Sequence, residues 1–310
     1  MTNKTKKIAV VAGGLSSERT ISLLSGASIL TALKAKGYDA FLIDLKDDIF
    51  AFVKELKKTK PDVIFNALHG RWGEDGNIQG LFNLMKIPYT HSGLLASAIG
   101  MNKKASKMFF AQSGIPVAPD KVVTFADIKN GDTLPFPYVI KPINEGSSVG
   151  VHIIEDAAAE KVLLEQWPFA GQAVLMETYI KGRELSVGVL DGKVLGIVEI
   201  VPKTGFYDYT NKYTSGCTDH ILSPELPKQQ KELLEKYAVL AHQSIRAKGV
   251  SRTDFRYDDS NPEKPIIVAL EINTQPGMTQ LSLVPEMAKI AGISYEDLVS
   301  YLVEEAKCGS

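Results

Sequence analysis

The chain has 310 residues, 45% hydrophobic and 23% charged, and 35 Lys and Arg against 36 Asp and Glu leave a net charge of -1. That length suits two or three domains of roughly 100–200 residues, and the charge balance argues against a non-specific nucleic-acid or anionic-membrane binder. No run approaches the roughly 18 apolar residues of a membrane span. Two cysteines, Cys217 and Cys308, make neither a disulfide framework nor a four-thiolate zinc site, which fits a reducing cytoplasm.

Residues 8–12 read as a buried strand closed by the turn Gly13-Gly14. Lys4, Lys6 and Lys7 before it imitate a signal peptide, but the apolar run stops at once and Glu18 and Arg19 follow. Ser16 or Ser17 is expected to cap the next helix, whose apolar stripe includes Leu23, Ala27, Leu30 and Leu33 and which Gly37 stops. Residues 40–44 are strand-like, 49–58 helical, 63–68 a strand, 78–85 helical and 87–90 a strand. This βαβ series predicts a parallel sheet with helices on both faces over about the first 95 residues.

One helix is expected over 94–112, ended by Ser113-Gly114. A strand at 138–141 runs into a Gly/Ser loop at 145–150, followed by a helix at 157–167 and a strand at 173–177. Strand signals cover 184–201, with Asp191-Gly192 as a hairpin turn. The polar, aromatic stretch 205–220 has no apolar period and is too long for a mere connector, the mark of a binding loop or lid. A long helix at 227–247, strands at 251–257 and 266–273, and helices at 284–291 and 295–305 complete the chain.

The most informative stretch is Arg252-Thr253-Asp254 together with Glu271-Ile272-Asn273-Thr274-Gln275-Pro276-Gly277. Residues i and i+2 of a strand share a face, so Glu271 and Asn273 project together, as do Arg252 and Asp254. If the strands pair, Asp254, Glu271 and Asn273 form an all-oxygen donor set suited to Mg²⁺ or Mn²⁺ with nucleotide phosphates. The plainer reading, a solvated hairpin face with a Pro-Gly turn, stands beside it. No Walker motif is present, which excludes a P-loop, and Gly13-Gly14 lacks the dinucleotide-binding pattern. Lys141 instead precedes Glu145-Gly146-Ser147-Ser148-Val149-Gly150, whose backbone N–H groups could cradle phosphate. Glu177-Thr178-Tyr179-Ile180 ends a strand and Glu184 opens the next, so exposed amides there could read an adenine edge.

In this order, these pieces resemble the ATP-grasp superfamily and, more closely, the D-alanine–D-alanine ligases. The matching residues are Gly13-Gly14-Leu15-Ser16-Ser17-Glu18-Arg19, His69-Gly70 with Gly73-Glu74-Asp75-Gly76, Lys141-Pro142, the 145–150 loop, Tyr207-Asp208-Tyr209 with Lys212-Tyr213, Arg252-Thr253-Asp254, and 271–279. The resemblance implies an α/β fold of three domains: an N-terminal parallel domain at 1–95 and two α+β lobes clasping ATP, at 96–184 and 185–310, with a lid loop at 205–220. It implies that Lys103 and Lys141 touch the phosphates, with Glu145, Ser147 and Ser148 in the phosphate loop. Glu177, Tyr179, Ile180, Glu184, Phe206 and Leu270 would contact adenine and ribose, and Lys212 the γ-phosphate. Asp254, Glu271 and Asn273 would hold two Mg²⁺ or Mn²⁺ ions.

The resemblance further implies that one D-alanine carboxylate takes the γ-phosphoryl group of ATP and the amine of a second D-alanine attacks the acyl phosphate. Glu18 and His69 would bind the first substrate, Ser282 and Leu283 the second, and Arg252 with the Gly277 N–H the oxyanion. Glu18, Ser147 and Tyr213 would form a triad joining domain, loop and lid. A homodimer, a cytoplasmic location and a role in peptidoglycan synthesis are also implied. Leu281 stands where many relatives carry histidine, and Tyr213 rather than phenylalanine fits dipeptide-forming members. A ligase with D-lactate or another D-amino acid as acceptor and a non-catalytic nucleotide sensor are the alternatives.

Overall fold

The computed structural model describes residues 6–169, 171–203 and 218–309. β1 (Lys7–Gly13), β2 (Asp39–Leu45) and β3 (Val63–Asn66) form a parallel sheet in the order β2-β1-β3. Both faces are covered, which is why β1 reads as unbroken apolar sequence rather than alternation. On one face Ile8, Val10 and Phe65 pack against Ile29 and Leu33 of α1 (Arg19–Ala35). On the other, Ala9, Val11 and Ile64 meet Phe52 and Leu56 of α2 (Ile49–Thr59) and Ile78 and Phe82 of α3 (Asn77–Met85).

Three expectations change here. The cap position of α1 is Glu18, with no side-chain capping bond. Ser16 Oγ instead donates to the His69 carbonyl at 2.6 Å and accepts from the Glu18 N–H at 3.2 Å. The predicted strand at 87–90 shrinks to a single parallel bridge between Ile64 and Tyr89, because the chain turns at His91 with φ 70°. The predicted helix over 94–112 is two, α4 (Leu94–Met101) and α5 (Lys103–Gln112). Asn102 leaves the helical region and its Oδ1 accepts the Ala105 N–H at 2.9 Å, the competition with helix that short polar side chains offer.

The second sheet is antiparallel, in the order β4-β7-β5-β6: β4 (Asp120–Val123), β5 (Tyr138–Pro142), β6 (His152–Ile154) and β7 (Val174–Thr178). α6 (Phe125–Lys129) and α7 (Ala157–Glu165) accompany it. β4, α6 and β6 are too short to carry a period and went unpredicted. The third sheet runs β10-β9-β8-β11-β12, all antiparallel: β8 (Arg183–Leu190), β9 (Lys193–Pro202), β10 (Thr218–Leu222), β11 (Val250–Asp258) and β12 (Ile266–Asn273). β10 takes residues 218–220 from the expected lid loop.

Leu185, Val187, Phe255 and Ala269 of this sheet bury against Leu234, Ala238 and Ala241 of α8 (Lys228–Ser244) and against Phe110 of α5. On its opposite face, Val284 and Met287 of α9 (Leu283–Ile290) join Leu298 and Leu302 of α10 (Tyr295–Glu304) and the first sheet in one core. Among the described residues no helix is long and apolar enough to cross a membrane.

Candidate active site between the second and third sheets

The third sheet carries a polar stripe. β11 and β12 pair so that Asp254 lies opposite Glu271 and Arg252 opposite Asn273. A bulge between Asp254 and Phe255 inserts Leu270 as an extra residue on β12. Strict alternation would send Leu270 and Glu271 to opposite faces; the bulge turns both into the cleft. Arg252 holds Asp254 through two bonds, Nε to Oδ1 at 2.9 Å and Nη2 to Oδ2 at 2.8 Å, and Ser186 Oγ on β8 adds a third to Oδ1 at 2.5 Å. Lys103 Nζ lies 3.2 Å from Glu271 Oε2. Farther along, Arg256 sits opposite Glu184, reaches it at 3.4 Å, and donates to the Ile180 carbonyl at 3.1 Å.

The facing wall comes from the second sheet. Asp120 and Glu177 are opposite each other on β4 and β7, a like-charge pair that would repel if bare. α5 resolves this with lysines. Lys107, fully buried, donates to Glu177 at 2.7 Å and lies 3.7 Å from Asp120, while Lys104 holds Asp120 at 2.7 Å. Lys141 donates to the other Glu177 oxygen. Burial alone would raise the Glu177 pKa, but Lys141 and Lys107 beside it hold the carboxyl below its ordinary value. Lys103 at the first turn of α5 bonds the Glu145 carbonyl.

Between these walls opens a cleft of about 770 Å³, counted to its solvent-open mouth, within the range of small-molecule sites. Lys103, Lys141, Glu145, Ser148, Asp254, Arg256 and Glu271 are among the residues that line it. Glu177, Tyr179, Ile180, Glu184 and Leu270 also line it, with Val139, Pro142, Val149 and Val151 supplying apolar surface. Ser147 and Ser148 both have positive φ, 52° and 56°, a costly backbone that turns Ser147 out of the cleft.

Ser147 Oγ donates to Glu18, at the edge of the first sheet. Glu18 needs a glycine beside it, since a Cβ on Gly70 would stand 2.6 Å from its Oε2. His69 follows β3, with Nδ1 3.0 Å from Glu74 Oε1 and Nε2 3.2 Å from Ser25 Oγ. Burial disfavours the charged ring, yet the bond to Glu74 and the pull of Glu74 and Glu18 raise the His69 pKa overall. Burial, and then Glu18, raise that of Glu74 against the bond from His69.

Against this geometry the comparisons are decisive. The description "D-ala D-ala ligase C-terminus" matches residues 109–304, and "D-ala D-ala ligase N-terminus" matches residues 46–92. The chain belongs to the D-alanine–D-alanine ligase family. It is 48% identical over 304 residues to the D-alanine–D-alanine ligase of Paramagnetospirillum magneticum, covering 98% of this chain and 99% of the relative. To that of Agrobacterium fabrum it is 49% identical over 307 residues, 98% of each chain. A solved D-alanine–D-alanine ligase from Bacillus anthracis superposes with a TM-score of 0.84 at 34% identity, and one complexed with ATP with 0.81 at 31%, each pairing covering 97% of both chains.

Of the residues that family resemblance singles out, eleven line the one cleft: Lys103, Lys141, Glu145, Ser148, Glu177, Tyr179, Ile180, Glu184, Asp254, Leu270 and Glu271. Asn273 continues the β12 face, its Oδ1 accepting the Gln275 N–H at 2.8 Å. Gly277 and Ser282 lie on the loop entering α9, and Leu283 is the first residue of that helix. A Cβ on Gly277 would come 3.1 Å from Ser282 Oγ, which accepts the Thr279 N–H at 3.1 Å. Leu281 is exposed. Phe206, Lys212, Tyr213 and Cys217, with the rest of 204–217, lie outside the described residues. Sequence reasoning missed Arg256, although it shares a face with Arg252 and Asp254 by simple alternation. It also missed Lys107, inside the predicted 94–112 helix, and Asp120, in a strand that was not predicted.

Among the described residues no three His, Cys, Asp or Glu side chains converge on a metal position. The opposed carboxylates of Asp254 and Glu271, both lining the cleft, with the Asn273 amide next on the β12 face, instead match a Mg²⁺ site completed by phosphate oxygens. The donor set fits.

Proposed function

We propose that the chain is an ATP-dependent ligase that joins two D-alanines into D-alanyl-D-alanine through an acyl phosphate, for peptidoglycan precursors. The observation that carries this reading is the Asp254–Glu271 cross-strand pair facing Lys103 and Lys141 across one cleft, with Glu18 tied to that cleft's loop through Ser147. Full-length identity to curated ligases of this name supports the substrates.

In this reading ATP lies with adenine on Val139, Ile180 and Leu270 and phosphates toward Lys103, Lys141 and the 145–148 loop. Two Mg²⁺ or Mn²⁺ ions held by Asp254, Glu271 and Asn273 would neutralise charge on the transferring phosphoryl group. Glu18 and His69 hold the first D-alanine so that its carboxylate takes that group. Ser282 and Leu283 receive the second, whose amine attacks the acyl carbon and expels phosphate. Arg252 and the Gly277 N–H face the oxyanion that forms on the way. Lys212 and Phe206 complete the nucleotide contacts, and Tyr213 closes the lid over a water-sensitive acyl phosphate. Three units bounded near residues 95 and 185, a homodimer and a cytoplasmic location belong to the same proposal.

The test is phosphate release with ATP, Mg²⁺ and D-alanine, with the dipeptide identified by mass. Turnover that requires D-alanine and yields that mass supports the reading. Phosphate release only with D-lactate, or none, refutes it.

A further inference from the structure

Gln275, two residues beyond Asn273 and two before Gly277, is buried and bonded in three directions. Its Oε1 accepts from Asn66 Nδ2 at 2.8 Å, and its Nε2 donates to the Leu68 carbonyl. Its backbone N–H fixes Asn273 Oδ1 at 2.8 Å. Asn66, at the end of β3, is fully used as well. Its second amide hydrogen goes to the Gly73 carbonyl at 3.1 Å and its Oδ1 accepts the Leu68 N–H at 3.3 Å.

These bonds join two elements that meet nowhere else through side-chain amides. One is the 66–74 segment, which carries His69, proposed to hold the first substrate, and its partner Glu74. The other is the 273–277 segment, which starts at a proposed metal ligand and ends at a proposed oxyanion donor. A buried amide pair in which each amide nitrogen and oxygen has a partner favours one register. Pro276 stiffens the step from Gln275 to Gly277.

We propose that Gln275 is a positioning residue that, through Asn66 and Leu68, locks the first-substrate pocket to the metal and oxyanion loop, so that the acceptor and donor of the phosphoryl group are held in one register. The proposal rests on the ligase reading above. It adds a coupling function to a residue that touches neither substrate.

The test uses the full chain with Gln275→Met and with the double variant Asn66→Leu/Gln275→Met. Three quantities are read: thermal midpoint, kcat and KM for each substrate, and the factor by which D-alanine tightens binding of a non-hydrolysable ATP analogue. A coupling factor of this kind is the direct measure of linkage between two sites. Gln275→Met is expected to lower kcat/KM for D-alanine about tenfold or more, leave the ATP KM within about twofold, and bring the coupling factor toward one.

The double variant removes both partners of the amide pair, and Gly73 keeps its bond from Gln79 Nε2 at 2.8 Å. Its midpoint is expected to return toward that of the parent while turnover and coupling stay low, because apolar isosteres restore packing but not register. Recovery of turnover together with the midpoint would show a merely structural role and overturn the proposal, as would unchanged coupling in Gln275→Met. The double variant keeps the test decisive if the single one does not fold. A parent chain that releases no phosphate with D-alanine fails the ligase reading itself, a separate result read before any variant.

Discussion

The proposed first-substrate pocket around His69 and the nucleotide cleft hold the same kinds of charge in different arrangements. In the cleft, Glu177, Asp120, Glu271 and Asp254 are each met by a lysine or arginine within 3.2 Å. In the pocket, Glu18 and Glu74 flank a single imidazole, that of His69. In the proposed reading these two carboxylates suit an incoming ammonium. The cleft is internally neutral and can exchange its own ion pairs for phosphate and metal without a net cost in charge. Buried pairs of this sort tolerate a partner exchange far better than the loss of one member.

The largest expected effect breaks the cleft side. Glu271→Gln keeps the shape but removes the anion that faces Asp254 across the hairpin. A drop in kcat of about a thousandfold is expected, the scale of a lost charge-stabilising group, with the thermal midpoint little changed. Phosphate-release kinetics with a melting curve decide it, and near-parental kcat would refute the metal assignment.

Next comes Lys107→Met, which exposes Glu177 and Asp120 to each other. Breaking a buried pair by removing one partner costs about 3 kcal/mol, and Lys141 becomes the sole counter-ion of Glu177. Urea unfolding should show the loss, and the ATP KM should rise because Lys141 is then held more tightly away from phosphate. A second change, Glu177→Gln, should return part of the stability. Additive losses in the double variant would contradict the ion-pair account.

How much of this was legible in the sequence follows the same division. The hairpin stripe was readable because strand alternation places Arg252, Asp254, Glu271 and Asn273 by counting alone. Leu270 in the cleft was not readable by counting, since the bulge that turns it there breaks the period; only family resemblance named it. Lys103 needed the helix break at Asn102, whose capping bond lies inside what reads as one continuous amphipathic run. Lys107, Asp120 and the Asn66–Gln275 pair are contacts between segments 13 to 209 positions apart, and no local pattern marks a polar residue as buried. Charge alone makes Lys107 look solvated.

His91 sharpens the pocket side. It is buried, stacks edge-on against Phe65 with ring centres 5.4 Å apart, and bonds Thr90 Oγ1 at 2.8 Å. Burial, then the nearby positive ring of His69, lowers its pKa from 6.5 to about 3. The folded value lies below the unfolded one, so between them the unfolded chain binds the extra proton. Stability contributed by neutral His91 is complete above about pH 6.5 and falls as pH drops toward 3. By pH 4.5 the loss is about 2–3 kcal/mol. His91→Phe should flatten that part of the stability–pH curve in urea unfolding; an unchanged slope would mean His91 protonates freely in the fold.

The smallest effect tests the charge balance itself. Glu74→Gln removes one of the two carboxylates beside His69 and leaves Glu18 and its bond from Ser147 intact. Burial is the largest influence on His69, and Glu74 supplies most of what overrides it. Without Glu74 the ring pKa should fall, visible as a lower titration midpoint in the ring-nitrogen NMR shifts. The substitution also changes the hydrogen bond that orients the His69 ring. A rise of about threefold to tenfold in the D-alanine KM is expected, with the ATP KM constant. If the KM rises equally for both substrates, the pocket and the cleft are not electrostatically separate, and the contrast between them fails.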